Sequence, residues 1–389
     1  MGSNDDARHQ EHSDEELSYL VGNWKIFQKL GRHRYSTDDL VTSWVACCEA
    51  SRLNYTHPLM LDIGCGLGSV LLCNAWQIPG ATCVGMEAQE DRFSQAVRSV
   101  SFNVGDFPSE QARVSVLHHD LRDMCPSLVS TYPNGFDIIT GTPPYFAPHL
   151  AGQPGCLETA GCLFELRGGV EEYCAAAAGY LRPPPPLATP SSTTNACSSD
   201  IPSINDDTAH SSVPSVFILC NTALASSRVY LGAEAAGLSV VRRVDVVPRT
   251  GKPPLFCVFV MVLNSWLDAG NSRDLFASLT PLLSEGSSVS VPDGLKVAMP
   301  RSVAELLPDN AAEGLRVEGS VRGEHCEVIT VRGVDLKHTI EYAEILRHLG
   351  KPSSFDREEF GAAGVEQCDG AASVLESVVN HSCSTIEKV

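Results

Sequence analysis

The stretch LDIGCGLGSV, residues 61–70, decides the fold of this chain. Together with Pro58-Leu59-Met60 it opens as a short apolar run, the signature of a buried strand, and passes through Gly64, Gly66 and Gly68 into an apolar segment of helical character. Missing side chains let the backbone turn tightly and approach a ligand closely, with the amides of the helix N-terminus behind it. The spacing G-x-G-x-G differs from the dinucleotide fingerprint, whose third glycine falls one residue later. Asp62 precedes the loop, an awkward neighbour for a phosphate and a favourable one for an ammonium group. A glycine turn after a strand is also a common plain connection, so its meaning rests on what else points the same way.

Working outward, strands and helices alternate. ATCVGME is a second strand, ARVSVLHHD a third, FDIITG a fourth, PSVFILC a fifth, LSVVRRVDVV a sixth and LFCVFVMVL a seventh. Helices are expected over Ser69–Trp76, Gln89–Phe102, Gly169–Tyr180 and Ala223–Gly237. From Glu16 to about Ser51 the apolar spacing also suits a helix, with Ser36-Thr37-Asp38-Asp39 as a capping sequence ahead of Leu40, Val41, Trp44 and Val45. Such alternation specifies a doubly wound α/β fold, a seven-stranded, mostly parallel sheet covered on both faces, with an antiparallel last strand. CEVITVRGVDLKHTIEYAEIL adds a closing strand and helix.

Two further acids end strands. Glu87 closes the second strand and is placed to accept both hydroxyls of a ribose; Asp120, after the third, is placed to meet an adenine amino group. In open α/β sheets ligands sit outside the carboxyl ends of the strands, where Asp62, Glu87 and Asp120 all lie. With these residues in view, the chain resembles the class I S-adenosylmethionine-dependent methyltransferases. The resemblance implies a Rossmann-like fold, S-adenosyl-L-methionine as cofactor, and cofactor contacts at Asp62, Gly64, Gly66, Gly68, Glu87 and Asp120.

The fourth strand stops at Thr142-Pro143-Pro144-Tyr145-Phe146, where that family carries its [Asn/Asp/Ser]-Pro-Pro-Tyr motif in enzymes that methylate a planar nitrogen. Such a nitrogen is a poor nucleophile because its lone pair is delocalised. Two acceptors that hydrogen-bond its protons favour release of the pair, and prolines hold those carbonyls rigid. The resemblance makes Thr142, Pro143, Pro144 and Tyr145 catalytic, with the tyrosine ring stacking on the flat acceptor, and puts Phe146 and Arg167 on the substrate side. Thr142 departs from the motif, since a hydroxyl accepts less strongly than an amide or carboxylate oxygen, and that bears on adenine N6 as the acceptor.

Within the family the chain is most similar to the tRNA1(Val) adenine N6-methyltransferases. GRHRYSTDDLVTSWVA resembles their element before the glycine loop, which would set Thr37 and Asp38 beside the cofactor's amino acid end. VPRTGKPPLFCVFVMV resembles their final hairpin. The expected activity is methylation of adenine N6 in RNA such as tRNA. Protein methylation at a glutamine or related amide, and a non-catalytic S-adenosylmethionine-binding partner subunit, are the competing readings. Arg249 and Lys252, with Arg242 and Arg243 nearby, are candidates for an RNA-facing basic patch.

Bulk properties frame these readings. The 389 residues carry a net charge of −19, but residues 1–17 hold six acids against Arg8, and residues 353–389 seven against Arg357 and Lys388. The remaining negative core disfavours tight nonspecific nucleic-acid binding while leaving room for a local basic patch. The expected organisation is a disordered acidic tail at 1–17, a methyltransferase domain at 18–352 with a flexible Pro/Ser/Thr insertion at 183–213 and a further insertion at 264–323, and a second disordered acidic tail at 353–389. The acidic tails suit a protein partner. The polar start lacks the apolar core of a secretory signal, and no run of eighteen apolar residues exists, so a cytoplasmic protein is expected, with a nuclear one as the alternative and without membrane contact. Fifteen cysteines without a CxxC pair point to buried thiols, and the spacing of His118, His119 and His149 to no metal.

Overall fold

A computed structural model describes residues 14–105, 112–146, 157–186, 213–268, 282 and 325–352. A hairpin comes first, β1 (Glu15–Val21) and β2 (Trp24–Lys29), then α1 (Thr37–Arg52). The alternating part follows: β3 (Leu59–Ile63), α2 (Ser69–Gln77), β4 (Thr82–Glu87), α3 (Glu90–Val104), β5 (Val114–His118), α4 (Pro126–Thr131) and β6 (Ile138–Gly141). Beyond it lie α5 (Leu157–Leu163), α6 (Val170–Tyr180), β7 (Val216–Thr222), α7 (Ser226–Ala235), β8 (Leu238–Arg249), β9 (Phe256–Leu263), α8 (Asn264–Asp268), β10 (His325–Arg332) and α9 (Ile340–His348).

The eight-stranded main sheet has the order β10-β8-β9-β7-β6-β3-β4-β5. All pairings are parallel except those of β9, which runs antiparallel to both β7 and β8. The seven expected strands are all present, with the seventh antiparallel, and β10 extends the sheet to eight by pairing with β8. Strand order reverses at β3, which has β4 on one side and β6 on the other. That switch point opens a crevice between the carboxyl ends of β3 and β6.

The sheet is buried on both faces, as its apolar strands require. Every residue of β7 is buried. Along β6, Ile138 packs with Leu40, Val41 and Trp44 of α1 and Leu71 and Leu72 of α2, whereas Ile139 packs on the other face with Tyr173 of α6 and Val229 of α7. Alternation along a strand thus feeds two separate cores.

The expectation of one helix from Glu16 to Ser51 fails in its first half, and Glu15 to Leu17 belong to a strand rather than to a disordered tail. Gly22 and Asn23 form a two-residue turn, with Gly22 at φ +51°, and this turn chemistry joins two strands. The hairpin docks on α3: the Lys25 amide donates to Asn103 Oδ1 at 2.9 Å, the Phe27 amide to Ser99 Oγ at 3.1 Å, and Glu15 accepts from Gln95 and Arg98. The tail at 353–389, residues 1–13 and nearly all of both insertions lie outside the described residues. The eleven described cysteines are free thiols, seven of them buried, in keeping with the expectation for them; Cys156, Cys197, Cys368 and Cys383 lie outside. Among the described residues no helix is long and apolar enough to cross a membrane.

Arg242, expected in a basic patch, is fully buried instead. It donates to Glu49 of α1 at 3.0 Å and to Glu327 of β10, so one guanidinium joins three elements. Glu49 also accepts from Arg52 Nε at 2.7 Å. A buried guanidinium deprived of a carboxylate partner is strongly destabilising. Glu49→Ala is expected to lower stability by about 3 kcal/mol, read as a lower urea midpoint at unchanged slope; a midpoint equal to that of the unsubstituted protein would contradict this role.

Candidate functional site

At the switch point lies a cavity of about 800 Å³, counting the open space at its mouth. Its floor is the loop that follows β3. Gly64, Gly66 and Gly68 have φ of +63°, +57° and +84°, the left-handed region that glycine enters without strain. A Cβ on Gly66 would meet nothing within 4 Å, so the backbone there faces open space. Gly68 caps α2, whose first residue, Ser69, also lines the cavity.

The acids behind the loop are fixed by short hydrogen bonds. Glu87, at the end of β4, accepts from the Gly66 amide at 2.9 Å and from the Gln89 amide at 2.6 Å, one on each oxygen. Asp62 faces Gly85 of β4 and Thr140 of β6, and Thr140 Oγ1 donates to its Oδ1 at 2.7 Å. Its other oxygen, Oδ2, is buried and makes no hydrogen bond among the described residues. Asp39 accepts from the Ser36 amide at 2.8 Å in a capping box.

The structure sorts the expected site residues into two groups. Gly64, Gly66, Glu87, Asp120, Thr142, Pro144 and Arg167 line the cavity. Asp62, Gly68, Thr37, Asp38, Pro143, Tyr145 and Phe146 are not on its wall. Asp62 is buried behind the loop, and Pro143 is buried behind the shelf. Phe146 lies against Phe164, their rings 5.9 Å apart, and the two residues form a backbone bridge. Asp120 is held by both ends of the Arg122 guanidinium, at 2.9 and 2.6 Å, which pulls its carboxyl below the usual range.

Tyr145 corrects the expectation most. Its ring packs against the core, and its hydroxyl donates to Asp38 Oδ2 at 2.6 Å, with Cys220 Sγ at 3.5 Å. The tyrosine therefore braces the shelf from behind, and Asp38 is the brace's anchor. His118 Nε2 donates to the Ala88 carbonyl and its ring stacks on Phe93, while His119 Nε2 donates to the Asp123 carbonyl. Of the expected basic patch, Arg243 is engaged by Asp245 at 2.6 Å; Arg249 and Lys252 stand at the β8–β9 turn.

Several wall residues were not among the expected contacts: His33, Arg34, Tyr35 and Asp39, which flank Thr37 and Asp38 in the GRHRYSTDD segment, and Arg92 and Tyr173. Asp39 was legible only as a helix cap, one position beyond Asp38. Tyr173 sits in an alanine-rich helix segment, where an aromatic reads as core.

The wall carries charge of both signs, Arg34, Arg92 and Arg167 beside Asp39, Glu87 and Asp120. Burial pushes Asp62 up to about 7, against the Thr140 hydroxyl and the Leu71 amide, which lower it. Burial likewise raises Asp39, aided by Asp38 and Asp62, and raises Glu87 against its amide donors. A carboxyl raised in the folded state binds protons that the unfolded chain has released above about pH 4, so stability falls as pH rises toward 7. Asp62→Asn keeps an acceptor for Thr140 and removes this titration. Its melting temperature is expected to exceed that of the unsubstituted protein at pH 8, by an amount that vanishes toward pH 4; parallel curves would contradict the assignment.

No family model matches the chain. The tRNA1(Val) (adenine(37)-N6)-methyltransferase of Yersinia pestis (strain Pestoides F) is 30% identical over 122 residues, 31% of this chain and 43% of the relative. The enzyme of the same description from Yersinia pseudotuberculosis serotype I (strain IP32953) matches at 30% over 122 residues, 31% of this chain and 42% of the relative. The chain thus spans less than half the length of these curated relatives. Among solved structures, P. horikoshii TYW2 in complex with MeSAdo superposes at a TM-score of 0.40 with 11% identity, covering 65% of this chain and 73% of that one. Magnesium protoporphyrin IX methyltransferase from Synechocystis PCC 6803 with bound SAM gives 0.34 and 12%, covering 60% and 86%. Similarities of that size carry no argument about activity. The chain is a Rossmann-like α/β protein with a 122-residue stretch similar to the tRNA1(Val) (adenine(37)-N6)-methyltransferases, the likeness that its glycine loop and proline shelf imply.

Proposed function

We propose that this chain is an S-adenosylmethionine-dependent methyltransferase acting on a planar nitrogen, adenine N6 in RNA such as tRNA. The observation that carries the reading is one cavity at the switch point, walled by the glycine loop, Glu87 and the Thr142–Pro144 shelf. The residues present fit the cofactor. The unpartnered Asp62 Oδ2 and the raised Asp39 favour a ligand bearing positive charge, which would draw both carboxyls back toward their ionised forms. The amides that open α2 suit a carboxylate. Glu87, both oxygens already fixed, keeps lone pairs for a diol.

When bound, the cofactor supplies an electrophilic methyl group. The chain's own contribution is placement and proton control. Thr142 Oγ1 accepts a hydrogen bond from the attacking nitrogen, Pro144 offers a rigid apolar face to the flat acceptor, and Tyr145, tied to Asp38, keeps the turn from shifting. A paired base would have to leave its stack to reach this shelf.

The 122-residue similarity supports RNA as the acceptor. Arg249 and Arg332 end the parallel strands β8 and β10 with Lys252 beside them, all at the sheet edge that carries the cavity, and Arg167 lines the wall. The negative charge outside the tails favours the second reading, methylation of a protein amide. Incubation with radiolabelled cofactor and separated RNA and protein fractions distinguishes them. Label is expected in RNA, recovered as N6-methyladenine after nuclease digestion; label confined to protein would establish the amide reading, and binding without label a non-catalytic role. In the same assay Thr142→Ala is expected to slow transfer about tenfold or more while leaving cofactor affinity within about twofold.

A further inference from the structure

Tyr173, on the first turns of α6, lies across the ends of both central strands. A Cβ on Gly64 would come 2.0 Å from its hydroxyl oxygen and 2.9 Å from its Cζ, and a Cβ on Gly141 would come 2.8 Å from its Cδ1. The two glycines, at the ends of β3 and β6, are where a side chain is missing so that this ring can lie flat over the switch point. Tyr173 is 95% buried and still lines the cavity, so what remains exposed faces the ligand space. Among the described residues its hydroxyl makes no hydrogen bond, and its oxygen is not among the fully enclosed unpartnered atoms, so the donor opens on the cavity.

The neighbours define what the hydroxyl can take. Glu87 and Asp62 stand close enough to oppose its ionisation, as does burial, so the group remains a donor at every working pH. An aminocarboxylate that comes to rest over Gly64 and Gly66 finds an acceptor for its ammonium group in Asp39 on the wall, with the Asp62 carboxyl behind the loop, and a donor for its carboxylate in the hydroxyl above Gly64.

We infer that Tyr173 is a cofactor-binding residue, its hydroxyl donating a hydrogen bond to the carboxylate of the cofactor's aminocarboxylate end above Gly64. This rests on the proposed function and adds to it a residue, outside the glycine loop and the shelf, that spans both. Because the contact is to the amino acid end, it is shared by S-adenosylmethionine and S-adenosylhomocysteine, which differ at the sulfur.

Calorimetric titration of the full chain with each compound tests the inference. The unsubstituted protein is measured first, since failure to bind either compound refutes the proposed function itself. Given binding, Tyr173→Phe is expected to weaken both compounds equally, by about five- to tenfold, the loss of one hydrogen bond to a charged group. The unliganded melting temperature should stay the same or rise, because no partner within the protein is lost. In turnover the KM for S-adenosylmethionine should rise with kcat little changed. Unaltered affinity for both compounds, or weakening of only one, would overturn the assignment while leaving the proposed function standing. A fall in the unliganded melting temperature matching the loss of affinity would also overturn it, by making Tyr173 a structural residue.

Discussion

Three carboxylates set the constraint on which the rest depends: Asp39, half-buried on the cavity wall, Glu87, buried on it, and Asp62, buried behind the glycine loop. Taking ionised groups out of water is costly, and each of these is raised for that reason. A protein retains such a cluster where the folded scaffold holds it firmly. Here Thr140, the Gly66 and Gln89 amides and the Ser36 amide supply that hold, from four different segments. The parallel sheet exists, in this sense, to bring its strand ends to one edge. The two packed cores on its faces provide the stability that burying these groups consumes.

The second constraint is steric. The glycine loop can approach a ligand because Gly64 and Gly66 adopt left-handed φ, and it cannot move back because Tyr173 sits against Gly64. Cys65 and Leu71 in turn fill the space beside Gly85 on β4, where a Cβ would come 2.8 Å from Cys65 Sγ. Glycines at 64, 85 and 141 therefore answer to side chains packed over them, while Gly66 alone of the loop's first two opens on empty space. Loop shape and charge placement reinforce one another, since the Gly66 amide is itself a donor to Glu87.

The sequence made the architecture readable wherever the hydrophobic period was unambiguous. The strands around Asp62, Glu87 and Thr140 are continuous apolar runs bounded by glycine or a charge, and each falls where expected. The first hairpin was misread because Leu17, Leu20, Val21 and Trp24 also satisfy a helical spacing; Gly22-Asn23 between two alternating runs was the competing signal and it prevailed. At the site, residues set by backbone chemistry were legible, including the glycines, the strand-end acids and the prolines. Residues set by which way a side chain turns were not. Tyr145 follows two prolines and could face either side of the shelf; only packing against α1 and the Asp38 hydrogen bond decide that it faces inward. Asp39 and Tyr173 belong to helices whose orientation over the sheet no local pattern specifies.

The central claim is that this cavity, with Asp39 and Glu87 on its wall and Asp62 behind it, takes a positively charged nucleoside. Isothermal titration with S-adenosylmethionine at pH 6, repeated in buffers of differing ionisation enthalpy, tests it most directly. The account predicts saturable one-to-one binding accompanied by net proton release, as Asp62 and its neighbours ionise around the ligand's charge. Absence of a binding isotherm, or binding with net proton uptake, would contradict it.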